Sequence, residues 1–127
     1  MNPLPKILYV DPDPNLRKQV STYLSWYGLG VEELEDTAEA ESRLESRDYG
    51  LLICEVWSSP RNGFEMVRSI RQSGKPALRN LGVLLVAPDV LDEEGYRFLR
   101  KWKVSFMSKY QEIQEWVDKI SSLLRVT

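Results

Sequence analysis

Three carboxylate residues and one lysine occupy positions from which they could do chemistry together. Asp11 and Asp13 follow the short apolar run of residues 7–10, Glu55 closes a second apolar run, and Lys109 follows a third. In an open α/β sheet, side chains just past the carboxyl ends of the strands meet at one edge, where such proteins bind ligands. Two acids on one loop facing a third could hold Mg²⁺, and a lysine beside them could steady a phosphoryl group. These residues therefore favour an acidic pocket at the edge of a sheet.

The elements that would bring these residues together follow from the apolar pattern. Short apolar runs predict four strands, over residues 7–10, 49–56, 82–87 and 104–107, and residues 31–34, which include two glutamates, predict a weaker second strand. Apolar residues at helical spacing predict a helix after each strand, over residues 14–27, 38–47, 64–71, 91–103 and 113–124. Such alternation is typical of a parallel sheet covered by helices on both faces. We therefore predict an α/β fold, a single domain over residues 1–127 with a doubly wound sheet in the strand order 2-1-3-4-5.

Polar residues and glycines mark the ends of the first helix. Asp13 is predicted to cap it, with Pro14 at its first helical position. Gly28 and Gly30 are predicted to end it.

The later helices have start signals of their own. Asp36 and Glu39 have the spacing of a capping box for the second helix, and Asn62 is predicted to cap the third. Residues 74–80 are predicted to form a loop.

Composition excludes several classes of function. The 127 residues are 43% apolar and 28% charged, which fits an ordinary globular protein. A net charge of -2 and a pI near 5.3 give no general attraction to nucleic acid or to anionic lipid. The chain has no histidine, which excludes Ser-His-Asp and Cys-His triads and every zinc site that contains histidine.

The cysteine content and the apolar runs predict where the protein works. Cys54 is the one cysteine, so no internal disulfide can form, and its apolar surroundings predict a buried thiol in a reducing compartment. Residues 1–6 lack the pattern of a signal peptide, and no apolar run reaches the roughly 18 residues of a membrane span. We expect a cytoplasmic protein without contact to membranes.

Taken in order, three groups of residues resemble the receiver domain of two-component response regulators. They are residues 7–11 with Arg17 beyond them, Glu55 followed by the Gly63-Phe64-Glu65 segment, and residues 106–109. The resemblance covers about residues 5 to 125, which is nearly the whole chain. It implies a (βα)5 flavodoxin-like fold and a role in two-component or phosphorelay signal transduction.

The resemblance also implies roles for single residues. Glu55 takes the phosphoacceptor position, Asp11 and Asp13 belong to the acid pocket, Lys109 is the family's lysine, and Ala87 and Phe106 take the two switch positions.

At four places the chain departs from the family's pattern. Pro12 replaces the second of two adjacent acids after the first strand, and Glu55 replaces the aspartate that accepts the phosphoryl group. Ala87 replaces a Thr or Ser, and Tyr110 replaces the proline after the lysine. The chain is thus similar to an atypical receiver, or pseudo-receiver, with a degenerate phosphorylation site.

Three of these departures have a physical consequence for phosphoryl transfer. Mg²⁺ demands nearly ideal octahedral geometry, and proline offers it no carboxylate. Glutamate is one methylene longer than aspartate, so its carboxylate reaches roughly 1.5 Å further, and misplacement on this scale can cost on the order of a hundredfold in rate. Alanine lacks the hydroxyl that would bind the phosphoryl group. We therefore expect no enzyme activity, no cofactor and no resident metal; Asp11 and Glu55 are the residual candidates for Mg²⁺.

Three functions stay open from the sequence. The leading interpretation is a receiver-type module that acts through protein–protein contacts without Mg²⁺-dependent aspartyl phosphorylation. The first alternative is a receiver that still accepts a phosphoryl group on Glu55, with a distorted metal site at Asp11 and Asp13. The second is a flavodoxin-like binder of a small ligand, although the acids after the first strand would repel phosphate.

The pairing of Glu55 with Lys109 has two interpretations. The pair could imitate a modified aspartate and hold the domain in one state. Alternatively it is an ordinary ion pair, worth about 0–1 kcal/mol when exposed.

Aromatic and basic residues near the fourth helix predict a partner-binding face. Its members lie on the predicted fourth helix, on the fifth strand and before the fifth helix: Tyr96, Arg97, Arg100, Trp102, Phe106 and Tyr110. Aromatic residues and arginine are enriched at interface hot spots. The face predicts a protein partner or a homodimer, and we expect no direct contact with nucleic acid because the chain as a whole is acidic.

The other tryptophans are assigned from their positions. Trp57, two residues past Glu55, is predicted either to cover the pocket or contact a partner, or to pack on the adjacent loop. Trp26 and Trp116 are predicted to lie on the core faces of their helices or at the margins of those faces.

Overall fold

The computed structural model describes residues 6–124, which form a five-stranded parallel sheet with helices on both faces. The strands are β1 (Ile7–Val10), β2 (Val31–Leu34), β3 (Leu51–Glu55), β4 (Gly82–Ala87) and β5 (Ser105–Ser108). The helices are α1 (Pro14–Trp26), α2 (Ala40–Ser46), α3 (Gly63–Arg71), α4 (Pro76–Arg79), α5 (Glu93–Trp102) and α6 (Ile113–Leu124). The strand order is β2-β1-β3-β4-β5, which confirms the predicted doubly wound α/β fold.

The register of the sheet aligns the carboxyl ends of four strands. Val10 pairs with Cys54, Glu55 pairs with Val86, and Ala87 pairs with Ser108. The first residues past these ends therefore lie along one edge, as open α/β sheets require of a binding site.

Each face of the sheet has its own core, because the central strands β1, β3 and β4 are buried along nearly their whole length. On one face β1, β3 and β4 pack against α1 and α6, around the fully buried Trp116. On the other face the same strands pack against α2, α3, α4 and α5. Cys54 lies in this second core, and burial raises the pKa of its thiol to about 12.

The predicted ends of α1 are confirmed. The Asp13 side chain accepts hydrogen bonds from the backbone N–H groups of Asn15 and Leu16, and Pro14 is the first helical residue. At the other end Gly28 has φ of 81°, a left-handed conformation that favours glycine. The N–H groups of Gly28 and Leu29 bond back to the helix, which is the Schellman arrangement.

The start of α2 differs from the prediction. Asp36 bonds to the N–H of Ala38, and α2 begins at Ala40 with no side-chain cap from Glu39. The predicted capping box is therefore wrong, because a local turn takes up the Asp36 carboxylate.

Other boundaries shift by a few residues. The segment predicted as a loop at residues 74–80 contains the single turn of α4, begun by Pro76. α5 starts at Glu93 rather than at Leu91, because Asp92 caps it by accepting from Gly95.

The prediction for the tryptophans is correct at α6 and wrong at α1. Trp116 is fully buried, whereas Trp26 is 72% exposed at the last turn of α1. Its ring lies next to that of Tyr23 instead of in the core, with 5.2 Å between the centroids and the two planes tilted by 41°.

Two residues, Gly63 and Arg71, determine how helices pack on the face of the sheet that α2, α3, α4 and α5 cover. A Cβ on Gly63 would lie 2.9 Å from Leu85 Cδ2 and 3.0 Å from the backbone of Val56, so only glycine lets α3 start this close to β3 and β4. The Arg71 guanidinium donates to the carbonyls of Leu81, Trp102 and Lys103, among others. It thereby joins the end of α3 to the end of α5 and to the start of β4.

Candidate functional site

Asp11, Glu55 and Lys109 form a buried cluster at the carboxyl edge of the sheet. Each is no more than 3% exposed. Lys109 Nζ lies 2.9 Å from Asp11 Oδ1 and 3.7 Å from Glu55 Oε1. The lysine thus bridges two acids from different strands, with its shorter contact to Asp11 rather than to Glu55.

Asp11 is held by groups from its own strand and loop. Tyr9 Oη donates to Asp11 Oδ2 at 2.9 Å, and the N–H of Asp13 donates to Oδ1 at 2.9 Å. Burial and the adjoining Asp11 carboxylate raise the pKa of Tyr9, so the phenol keeps its proton and acts as a donor. Arg17 donates to the main-chain carbonyl of Asp11 and pairs with Glu33.

Glu55 folds back onto its own loop. Its Oε2 accepts a hydrogen bond from the N–H of Trp57, and its main-chain carbonyl accepts from Ser58. The extra methylene of glutamate therefore places the carboxylate against the loop that follows β3. Burial raises the pKa of Glu55, although the Trp57 amide and the Lys109 charge oppose part of that increase.

Lys109 is positioned by its main chain and keeps its charge. Its N–H donates to the carbonyl of Ala87, and its own carbonyl accepts from the buried indole of Trp116. Burial works against the ammonium form, but the hydrogen bond and charge of Asp11, together with the charge of Glu55, outweigh it and raise the pKa of Lys109.

Asp13 does not join the cluster. Its Oδ1 caps α1, and its Oδ2 lies 3.4 Å from the hydroxyl of Tyr110, whose ring centroid is 5.5 Å from Lys109 Nζ. The predicted acid pocket therefore has Asp11 at its centre, while Asp13 and Tyr110 lie at its rim.

The two predicted switch positions lie on the adjacent strands β4 and β5. Ala87 is buried at the end of β4. Phe106 is half-buried on β5, and its ring meets Tyr96 edge to face with 6.2 Å between the centroids.

The predicted partner face is assembled except for one member. Tyr96, Arg97 and Arg100 are exposed on α5, and Tyr110 is 63% exposed before α6. Trp102 lies on the other side of α5, where its ring is 6.0 Å from that of Phe98 and packs on the core. The prediction for Trp102 is wrong because helical spacing separates it from Tyr96 and Arg100.

A magnesium ion, which the family implies, does not fit the residues of this cluster. Pro12 is exposed and provides no carboxylate, Asp13 is used to cap α1, and the Lys109 ammonium contacts both remaining acids. Within residues 6–124 no three acidic, cysteine or histidine side chains are grouped to hold a metal ion. An octahedral site needs more oxygen ligands in nearly ideal positions.

The loop after Glu55 is fixed by contacts that the sequence did not reveal. The buried Thr37 hydroxyl donates to the carbonyl of Arg61 and accepts from its N–H, both at 2.8 Å. Tyr9 was also missed as part of the site. A buried tyrosine hydroxyl needs a partner, and Asp11, two residues further along the same strand face, was the available signal.

The chain matches the response regulator receiver domain over residues 7–121. With this geometry and this match, the chain belongs to the receiver-domain family of two-component signalling, whose members interact with protein partners.

Solved receiver structures share the fold. The response regulator receiver protein from Pseudomonas putida is 22% identical with a TM-score of 0.84, over 96% of this chain and 99% of that one. Chemotaxis response regulator CheY4 of Vibrio cholerae is 20% identical with a TM-score of 0.84, over 95% and 99%. The BeF3-activated N-terminal receiver domain of Klebsiella pneumoniae RstA is 16% identical with a TM-score of 0.81, over 95% and 99%. At these identities the likeness concerns the fold.

None of the helices in residues 6–124 has the length and apolar character needed to span a membrane.

Proposed function

We propose that this receiver domain signals through protein–protein contacts and without Mg²⁺-dependent aspartyl phosphorylation. The observation that carries the proposal is the position of Lys109 Nζ, 2.9 Å from Asp11 and 3.7 Å from Glu55. The two buried acids share one internal cation, and residues 6–124 supply no third carboxylate beside them for a divalent ion.

The chemistry of the neighbouring positions supports the same proposal. Glu55 turns toward the amide of Trp57, and Ala87 has no hydroxyl to bind a phosphoryl oxygen. A phosphoryl group on Glu55 would displace a buried carboxylate from its hydrogen-bond donor, at a cost typical of an unsatisfied buried polar group.

Phosphodonor treatment tests the proposal directly. The protein is incubated with acetyl phosphate and Mg²⁺ and its intact mass is measured; beryllofluoride with Mg²⁺ is added in parallel while tryptophan fluorescence is followed. We expect no added phosphoryl group and no fluorescence change. Trp57→Phe identifies the contribution of the tryptophan nearest the cluster.

A restored variant is the matched control. Pro12→Asp, Glu55→Asp and Ala87→Thr together return the family's residue types, and we expect this variant to gain a phosphoryl group. A Mg²⁺-dependent mass gain in the natural sequence that Glu55→Gln abolishes would instead establish the phosphoacceptor alternative. Flavin or nucleotide that copurifies with the protein would support the small-ligand alternative.

The contacts that carry the signal are assigned to the face formed by α5, β5 and the start of α6. Tyr96 and Phe106 meet edge to face, with Arg100 on the same side of the helix and Tyr110 exposed beside them. Exposed aromatic rings next to arginine side chains have the composition of an interface hot spot. A second copy of the chain is the alternative occupant of this face.

A further inference from the structure

A groove of about 620 Å³ lies between α5 and α3, on the side of α5 away from Tyr96 and Phe106. The loop after β3 forms one end of it, and the loop between β4 and α5 forms the other. The groove is separate from the face of Tyr96 and Phe106, so the inference does not depend on the proposed function.

Apolar side chains make the floor and two edges of this groove. Phe64 and Phe98 meet edge to face on the floor, with 4.7 Å between their centroids. Trp57 and Val90 line its rim and are 66% and 74% exposed. Together with the apolar floor these exposed side chains form an apolar patch rimmed by polar residues, and such patches mark binding surfaces.

The charges around the groove have predominantly one sign. Four carboxylates line it, from Glu65, Asp89, Asp92 and Glu94, against one guanidinium from Arg68. That guanidinium lies over the Phe98 ring, 5.6 Å from its centroid.

Two of these acids have no cationic partner among the described residues. Asp92 caps α5 and Glu65 caps α3, but Asp89 and Glu94 take part in none of the ion pairs formed among residues 6–124. Such a rim attracts cationic groups and repels phosphate or acidic peptides.

We propose that this groove binds a basic amphipathic segment of a partner protein. Apolar side chains of that segment would lie on Phe64 and Phe98 beside Trp57, while its lysine or arginine side chains meet Asp89 and Glu94. An amphipathic helix placed in an apolar groove is a recurrent mode of recognition, and the acidic rim selects those with a basic polar face.

The test uses a defined probe. An 18-residue amphipathic helix of leucine and lysine, labelled with fluorescein, is titrated with the full chain, and a leucine–glutamate peptide of the same pattern serves as the negative probe. We expect saturable binding of the lysine peptide alone. Charge reversal with Asp89→Lys and Glu94→Lys is expected to weaken it by about tenfold or more, and Trp57→Ala also weakens it.

Matched controls separate the groove from general charge. Glu45→Lys with Asp48→Lys makes the same change in net charge at exposed positions elsewhere and should alter the affinity less than about twofold. Circular dichroism checks folding, and Asp89→Asn with Glu94→Gln replaces the reversal variant if it unfolds.

Three results would overturn the proposal. They are unchanged binding by the folded groove variants, an equal loss in the Glu45 and Asp48 control, and equal binding of the leucine–glutamate peptide. Sedimentation adds a fourth: self-association that Asp89→Lys with Glu94→Lys removes would make a second copy the occupant instead.

Discussion

At the scale of single residues, the buried cluster of Asp11, Glu55 and Lys109 contains more acidic than basic groups. Two buried carboxylates share one ammonium, so neutral pH leaves an excess of negative charge away from water. Burying an ion costs free energy that its partners recover only when each is well paired. Asp11 has a lysine, a tyrosine hydroxyl and an amide as donors, whereas Glu55 has an amide and a longer contact to the lysine.

Replacing Glu55 should therefore stabilise the protein at neutral pH. The folded state raises the pKa of Glu55 above its ordinary value of 4.5, so folding favours the protonated form. The associated stability is fully present below pH 4.5 and is lost as pH rises through the folded pKa. Glu55→Gln keeps an acceptor for the Trp57 amide without the charge, and we expect it to raise the free energy of unfolding at pH 7 by roughly 1 kcal/mol. Urea titrations from pH 4 to 8 measure this.

The opposite change to the same cluster is the control. Lys109→Met leaves both acids without their cation, and its cost at pH 7 should be about 3–5 kcal/mol. If Glu55→Gln destabilised the protein at pH 7 instead, the attraction between Glu55 and Lys109 would outweigh the cost of burial.

The sequence predicted which residues occupy the site better than it predicted their contacts. Asp11, Glu55 and Lys109 each follow an apolar run, and parallel strands bring such positions to one edge. The use of Asp13 as a cap and the turn of Glu55 toward Trp57 depend on the torsions of two loops, which apolar patterns do not determine. Asp13 was identified both as a cap and as a pocket acid, and its Oδ1 caps α1.

At the scale of elements, the close approach of α3 to the sheet depends on one glycine. A Cβ on Gly63 would meet Leu85 and the backbone of Val56, and the backbone contact cannot be relieved by a rotamer change. Gly63→Ala should lower the free energy of unfolding by about 1–3 kcal/mol, the usual cost of overpacking. Urea denaturation measures it.

Gly74 provides the matched control for this substitution. A Cβ there would meet nothing within 4 Å, so Gly74→Ala should change the free energy of unfolding by less than about 0.5 kcal/mol. Equal effects of the two substitutions would refute the packing argument for Gly63.

The strands were easier to predict than the short helices for a physical reason. The central strands β1, β3 and β4 are buried and form nearly continuous apolar runs, whereas the edge strands β2 and β5 are half-buried and give a weaker pattern. α4 has four residues, too few to establish a helical period, so its segment has the composition of a loop. α2 has a capping pattern in its sequence, but the side chain of Asp36 bonds within its own turn.

At the scale of the whole molecule, α5 separates two surfaces, one with the exposed Arg97 and Arg100 and one lined mainly by carboxylates. Tyr96 meets Phe106 of β5, and Arg100 follows one helical turn later on the same side of the helix. Phe98 meets an aromatic ring of α3 in the acidic groove. If signalling uses the first surface, substitutions there should change partner binding without changing stability.

Affinity capture with quantitative mass spectrometry tests this. Arg97→Ala with Arg100→Ala should lower recovery of specific partners several-fold, because the arginines are exposed and their loss removes interface contacts. Lys18→Ala with Lys75→Ala removes two exposed positive charges elsewhere and should leave recovery unchanged. Equal recovery in both variants would argue against this face.

An affinity unaltered by Glu55→Gln would argue against imitation of a phosphorylated state.

Because of the contacts of Arg71, the two edges of the sheet should differ in their resistance to salt and acid. Near β2, Glu32 is attached through the cationic side chains of Arg43 and Arg47. High salt screens these ion pairs, and protonation of the Glu32 carboxylate abolishes them. Burial alone would raise the pKa of Glu32, but its hydrogen-bonding and cationic neighbours outweigh burial and lower that pKa, so only strong acid protonates it. Near β5, Arg71 donates hydrogen bonds to neutral main-chain carbonyl oxygens, which neither titrate nor attract counterions strongly. Concentrated salt or strong acid is therefore expected to loosen this protein first beside β2.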